Sequence, residues 1–186
     1  VLYRMLDNLS FSLSTDGSIN TMNANLNEFA QPTRYSWLTA FAGKYMNDWL
    51  TISASALATI INEDVKEGGS AGNHRKLTPY ISASFKPFYH EEFRIRFFYK
   101  DIFRLPSFND LYYQEVGNTK LRPENARQYN VGLTYSKNVC PFLPYLSATI
   151  DAYYNKVTDK IIAYPTKNLA VWSMSCLLYT SPSPRD

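Results

Sequence analysis

Side chains in this chain change character at every second residue over most of its length. A period of two belongs to a strand with unlike faces, because successive strand side chains point to opposite sides. Over 128–136 the apolar set is Tyr129, Val131, Leu133 and Tyr135, interleaved with Gln128, Asn130, Gly132, Thr134 and Ser136. Over 145–155, Leu146, Ala148, Ile150, Ala152 and Tyr154 alternate with Ser147, Thr149, Asp151, Tyr153 and Asn155. Segment 92–100 sets Phe93, Ile95, Phe97 and Tyr99 against Arg94, Arg96 and Lys100, and segment 77–86 sets Ile81, Ala83 and Phe85 against Tyr80, Ser82, Ser84 and Lys86. Segment 49–61 carries Leu50, Ile52, Ala54, Ala56, Ala58 and Ile60 between Thr51, Ser53, Ser55 and Thr59. Segments 34–46 (Trp37, Phe41) and 3–14 (Leu9, Phe11, Leu13) alternate less cleanly. The pattern predicts about seven strands.

Many of these segments approach the roughly 9–11 residues that a tilted strand needs to cross a bilayer. Connections between them alternate in length. Short turns fall near 46–48, 88–91 and 138–144, and long ones span 62–76, 104–122 and 15–33. Short turns at one end and long loops at the other is the pattern of an outer-membrane barrel. A soluble sandwich also alternates along its strands, but nothing in it requires loops of alternating length. Tyr45, Trp49, Phe88, Tyr89, Phe93, Tyr135, Phe142 and Tyr145 gather near the short turns. Amphipathic rings of that kind sit at a membrane–water boundary, although a chain with 16% aromatic residues also gathers some by chance. The sequence has no apolar run of about 18 residues, which excludes a transmembrane helix and leaves a membrane barrel open. The expected fold is all-β: an antiparallel meander forming part of the wall of a large transmembrane barrel.

Composition narrows function mostly by exclusion. A hydrophobic share of 45% excludes a disordered polymer, and a net charge of +3 with scattered Lys and Arg gives no basic stripe for nucleic acid. His74 and His90 sit outside any Ser/Asp arrangement and read as solvated loop residues, so no catalytic residue is assigned and no enzyme activity is expected. Glu63, Asp64 and Glu67 match no calcium-loop spacing and read as a solvated acidic loop. No zinc pattern, phosphate-binding glycine loop or nucleotide motif occurs, so neither a metal nor a cofactor is assigned. Cys140 and Cys176 are poor evidence for a disulfide. Composition changes abruptly at 176–186, which resemble translated sequencing-adapter sequence. Residues 175–186 are therefore set apart as a non-native tail, of which 176–186 are expected to be irregular and to make no ladder with the sheet. The chain begins Val1-Leu2, without an initiator Met or signal peptide, and reads as internal to a longer protein.

One stretch is more specific. Phe103-Arg104-Leu105-Pro106-Ser107-Phe108-Asn109-Asp110-Leu111-Tyr112-Tyr113 is followed by Gly117-Asn118-Thr119-Lys120-Leu121-Arg122-Pro123-Glu124 and then by the strand at 128–136. This order resembles the C-terminal half of TonB-dependent outer-membrane receptor barrels, in the form found in gut-type Bacteroidetes. The resemblance covers most of 75–165 and, more loosely, 1–75. It implies that residues 1–174 are part of a receptor barrel of roughly 22 strands, with the plug and TonB box upstream. It implies an active importer in a Gram-negative outer membrane. Its partners would be outer-membrane lipid, TonB through the N-terminal region, and an extracellular small-molecule or glycan ligand of the iron-siderophore, haem, cobalamin or glycan class. A passive porin or structural barrel, and a soluble β-sandwich binding module, are the alternatives.

Within the motif, Arg104 and Pro106 are expected to end a strand, since proline cannot donate to a ladder. Gly117-Asn118 suits a turn with positive φ, Pro123 holds the chain extended, and Glu124 sits at the barrel lip. Phe103 and Leu121 complete the motif. A loop as long as 104–122 is expected to be extracellular and functional. Arg104, Asn109, Tyr112, Tyr113 and Asn118 offer charge, ring faces and hydrogen bonds to a ligand. The other reading, that the motif only shapes the loop, remains open. Arg94, Arg96 and Lys100 are expected to face the lumen, attracting an anionic ligand or pairing with acids on the plug.

Overall fold

A strand pointing unlike faces in two directions still has to pair its backbone at both edges, and here each strand takes the strand next to it in sequence. The computed structural model describes residues 1–25, 29–89, 92–113, 116–137, 146–165 and 172–177. In chain order the elements are β1 (Leu2–Leu6), β2 (Leu9–Thr21), β3 (Thr33–Met46), β4 (Leu50–Asp64), β5 (His74–Phe85), β6 (Glu92–Arg104), α1 (Phe108–Tyr112), β7 (Glu124–Lys137), β8 (Leu146–Thr158), β9 (Lys160–Pro165) and β10 (Trp172–Leu177). Strands β1 to β8 form one sheet in sequence order, with every described pair antiparallel. This is the expected meander. Among the described residues the other sheet is only the β9–β10 hairpin, which cannot cover an eight-stranded face as the second layer of a sandwich would.

Several boundaries differ from the expectation. Segment 3–14 is not one strand: Asp7 and Asn8 form a tight turn between β1 and β2, and Leu6 pairs with Leu9. The first seven residues of the expected long loop at 15–33 belong to β2 (Leu9–Thr21), whose ladder with β3 runs on to Thr21↔Thr33. Its residues there, such as Asp16, Ser18 and Asn20, are polar because strand continuity depends on backbone pairing and not on hydrophobicity. Strands β4 and β6 run on to Asp64 and Arg104, and β7 starts at Glu124, which agrees with Arg104 and Pro106 closing a strand. At the C-terminal end, Cys176 pairs with Ile161 and Leu177 with Lys160. Order thus extends two residues into the segment expected to be irregular, because β9 offers an open edge there. The tail 178–186, together with His90, Cys140, Phe142 and Tyr145, lies outside the described residues.

The register sorts the side chains into two faces. Ile95, Leu133 and Ile150 are direct cross-strand partners, and so are Arg94, Thr134 and Thr149. The apolar row continues through Ile52, Ala83, Phe97, Val131 and Ala152. This face is uncovered: Ile150 is 71% exposed and Trp37 56%. An apolar surface so extensive signals contact with something other than water, and its dimensions match lipid. Tyr35 and Tyr45 bound it on β3, ten residues apart. That is roughly 33 Å along the strand, or about 25 Å of height at a tilt near 40°.

Aromatic rows mark both margins of this band. At the short-turn end, Trp49 meets Phe85 edge-on at 5.8 Å and Phe88 meets Phe93 at 6.1 Å. At the other end, Tyr129 lies between Tyr99 (5.0 Å) and Tyr154 (6.2 Å). The sequence pattern did not reveal this second row.

On the polar face, Arg96 and Asp151 pair at 3.3 Å across β7. They meet over Gly132, where any added Cβ would collide with Asp151 Oδ1. Pro79, in β5, has no N–H to give, and the described β5–β6 ladder stops beside it at Tyr80↔Lys100. A hollow of about 630 Å³ opens there, lined by Leu57, Thr59, Tyr80, Lys100 and Ile102 among others.

In the complete protein, Leu133→Arg is expected to cost roughly 2–4 kcal/mol if the site is near the bilayer midplane, falling toward zero near an interface, and Thr134→Arg far less. Reversible unfolding in lipid measures both, and equal losses would mean the faces are wrongly assigned.

Candidate functional site: a latched loop at the long-loop end

The compact apolar core of this chain lies under its long loops. Leu111, Tyr112 and Leu121 are buried there, with Ala30, Val65, Ala71, Phe108, Ile161, Met174 and Cys176 packed around them.

Local chemistry starts the assembly. After Pro106, Ser107 caps α1. Its hydroxyl accepts from the Asp110 N–H at 3.2 Å, and the Asp110 carboxylate accepts from the Ser107 N–H at 2.8 Å. This reciprocal capping box satisfies two donors that a helix start would otherwise leave unpaired. One turn later Leu111 and Tyr112 point into the core, 2% and 7% exposed.

Glu63 holds the turn in place. It stands at the end of β4, directly opposite Arg34 of β3. Arg34 donates to its Oε2 from Nε at 2.8 Å and lies 2.7 Å away through Nη2. The Tyr112 hydroxyl donates to Oε1 and accepts from the Ala71 N–H at 3.1 Å. The backbone of Glu63 is used as well, its N–H donating to Asn73 and its carbonyl accepting from Ser70. Arg34 also donates to the Pro106 carbonyl at 3.0 Å and lies 4.7 Å from the Phe108 ring centroid. Arg34 and Glu63 belong to the polar face, so α1 folds inward over that face and not over the apolar one. Burial first, and then donation to the Glu63 carboxylate, push the Tyr112 phenol up to about 12.

Two readings of single residues change accordingly. Glu63 is not part of a solvated acidic loop; at 5% exposure it is the hub of the assembly. His74 is not a free loop histidine either, since it begins β5 and its ring meets Phe103 at 6.4 Å. A third correction concerns the backbone. Positive φ among the glycines occurs at Gly68 and Gly72 and not at Gly117. Gly117 is required for closeness instead, because a Cβ there would lie 2.6 Å from both Tyr113 N and Tyr113 O.

The five residues expected to contact ligand divide into two groups. Tyr112 is buried in the latch. The Asn118 side chain donates to the Met174 carbonyl at 3.2 Å and accepts from the Lys120 N–H at 2.9 Å. Arg104, Asn109 and Tyr113 remain exposed, with Arg104 3.6 Å from Glu124. Tyr113 lines a surface concavity of about 240 Å³ with Phe29, Gly68, Gly69 and Thr119. Of the other motif residues, Leu121 is buried in the core, and Phe103 pairs with Asn125 in the ladder. Among the described residues no group of His, Cys, Asp and Glu could hold a metal.

A barrel wall with apolar outer and polar inner faces, short turns at one end and latched loops at the other, defines an outer-membrane receptor class. The family model described as TonB dependent receptor-like, beta-barrel matches residues 3–173, and the chain belongs to that family of outer-membrane barrels. Among curated proteins it is similar to the Vitamin B12 transporter BtuB of Vibrio vulnificus, 36% identical over 73 residues, or 39% of this chain and 11% of that protein. It is also similar to the Vitamin B12 transporter BtuB of Photobacterium profundum, 32% identical over 66 residues, or 36% of this chain and 10% of that protein. The matched stretch thus spans about a tenth of either relative.

Two outcomes test the latch. Glu63→Gln leaves Arg34 facing a neutral partner in a nearly dry site, and losing one charge of a buried pair costs about 3 kcal/mol. Amide exchange across 105–123 is expected to accelerate by about a hundredfold, and unchanged exchange would remove Glu63 from its role. The raised phenol sets a second outcome. A folded pKa above the unfolded value favours the neutral form, so its contribution is complete below pH 10 and lost as pH rises through about 12. The tyrosinate absorbance of the receptor minus that of Tyr112→Phe is expected to show one late ionisation near pH 12.

Proposed function

We propose that the complete protein is an active importer that binds a scarce nutrient outside the cell and admits it with energy delivered by TonB. Within that reading, the first ligand class to test is the cobalamins. The observation that carries the importer reading is the fixed inward placement of the 105–123 loop. Glu63 and Arg34 hold α1 over the polar face, which leaves Arg104, Asn109 and Tyr113 exposed at the mouth. A ring face, an amide and a guanidinium suit a large polar ligand with hydrogen-bonding edges. Of the nutrient classes implied by the family, cobalamin is favoured by the names of the two curated relatives. The reading also includes outer-membrane lipid around the apolar face, a plug and TonB-contacting segment elsewhere in the protein, and no chemical conversion of the ligand.

Uptake of radiolabelled cyanocobalamin is the decisive measurement. The full-length receptor is expressed in a Gram-negative host lacking its own cobalamin receptor, with and without TonB. Accumulation that requires TonB is expected. Equal accumulation without TonB would replace the importer with a passive pore, and TonB-dependent uptake of an iron chelate or glycan but not of cobalamin would reassign the substrate. In the same cells, Asn109→Ala with Tyr113→Ala is expected to weaken binding about tenfold at normal surface level. Unchanged affinity would leave the loop a structural role.

A further inference from the structure

The inner face of the wall is polar by pattern, and the places where that pattern fails converge on one spot. On β4 the inward set from Thr51 to Glu63 turns apolar at Leu57 and Ile61. On β3 Leu38 faces inward opposite Thr59, and on β6 Ile102 stands two residues from the inward Lys100. All four line the hollow of about 630 Å³ beside Pro79. Its deeper end is polar. Tyr80 and Lys100 are direct cross-strand partners there, which sets a phenol O–H and an ammonium side by side. Neither head group has a hydrogen-bond or ion-pair partner among the described residues. From this pair the apolar side chains run outward to Ile61, two residues short of Glu63 on the same face, so the latch stands at the outer end of the hollow.

We infer that this hollow binds a small apolar carboxylate, with its acid group on Lys100 and Tyr80 and its hydrocarbon body along Leu57, Ile61, Leu38 and Ile102. The volume falls within the roughly 300–1,000 Å³ of small-molecule sites, which combine mostly apolar walls with a few convergent polar groups. An ammonium and a neighbouring O–H both donate, so together they match an acceptor that carries two oxygens and a negative charge. The walls decide the rest of the molecule, because covering apolar side chains that otherwise face water is favourable. A sugar would leave those walls unused, and an apolar cation would be repelled by Lys100. The hollow lies below the exposed Arg104, Asn109 and Tyr113, and its chemistry does not depend on which nutrient they capture.

The test uses the full-length receptor in lipid nanodiscs, titrated by calorimetry with naphthoate, and subtracts the heat from empty nanodiscs. Naphthoate is expected to bind, and naphthamide, with the same rings and no charge, about tenfold more weakly. Acetate, which has the charge and no rings, is expected to show no binding over the same range. Lys100→Gln is expected to weaken naphthoate about tenfold and to leave naphthamide unchanged, a split that general loss of structure would not produce. Lys44→Gln removes the same charge from the same face, opposite Ser53, and is expected to change neither. If Lys100→Gln fails to fold, the acid and amide on the wild-type receptor decide the matter alone. Absence of naphthoate binding would overturn the site, which is the outcome if another segment of the full-length protein fills the hollow. Equal affinity for acid and amide, or equal affinity of wild type and Lys100→Gln for naphthoate, would overturn the carboxylate assignment.

Discussion

A carboxylate with only 2% of its side chain exposed must find partners for both oxygens, and Glu63 finds them on two different segments. Arg34 of β3 takes one oxygen and Tyr112 of α1 takes the other, while its own backbone gathers Ser70 and Asn73 from the β4–β5 loop. Desolvating the charge is expensive by itself, and it is tolerated here because every acceptor is matched by a donor. The geometry is consequently all-or-none. Were the loop to lift away, Glu63 and Arg34 would keep each other but lose the tyrosine, the Pro106 carbonyl and the Phe108 ring together. The packing of Leu111 and Leu121 follows from that fixed position.

The wall beneath has no comparable centre. Its strands are held by backbone ladders between sequence neighbours, and among the described residues no second sheet covers either face. Ion pairs on it are exposed, as with Arg96 and Asp151, and pairs of that kind contribute little in water. On the proposed reading such a sheet is completed from outside, by lipid against Leu133 and Ile150 and by closure of the barrel at its free edges. The band between the aromatic rows shows this division of labour directly. On β7 the outward side chains within it, Val131 and Leu133, are apolar, and past Tyr129 they become Arg127 and Asn125. That switch defines the membrane boundary more sharply than any composition average.

Period two carried most of what the sequence could say. Because a strand has only two faces, alternation at Leu133 and Thr134 also told which side of the sheet the residues of β6, β7 and β8 face, and the register agrees. Alternation failed where pairing does not depend on hydrophobicity. The Asp7–Asn8 turn went unseen although an Asp-Asn pair between two leucines is itself a turn signal, and the end of β2 looked like loop because Asp16, Ser18 and Asn20 are polar. The loop site was legible in outline only. Ser107 and Asp110 stand at capping-box spacing, a signal present in the sequence and not used. Extending the β4 alternation from Thr59 through Ile61 would have put Glu63 on the inner face. Its partnership with Tyr112, 49 residues away, could not be read locally, because the contact exists only once β4, β5 and β6 are registered. Gly117 shows a similar limit: the residue was marked as special, but crowding by the Tyr113 backbone and not φ makes it so.

Anchoring and exposure are distributed unevenly within the motif, and the physics of recognition gives that unevenness a reason. A long loop that must be ordered by its ligand loses conformational entropy in doing so, and affinity falls accordingly. Here the ordering is done beforehand. Tyr112, Leu111 and Leu121 fix the interior of the loop, Asn118 ties it to Met174 of β10, and Arg122 meets Asp159 at 2.6 Å beside β9. Tyr113 is left as a ring with its backbone already held, since its carbonyl accepts from the Gly117 N–H at 2.6 Å. An exposed side chain on a fixed backbone restricts few additional rotors when a ligand arrives. Buried and exposed tyrosines side by side therefore answer two separate demands. Tyr112 contributes to the loop's stability by staying inside, and on the proposed reading that stability is what prepares Tyr113 to meet a ligand outside.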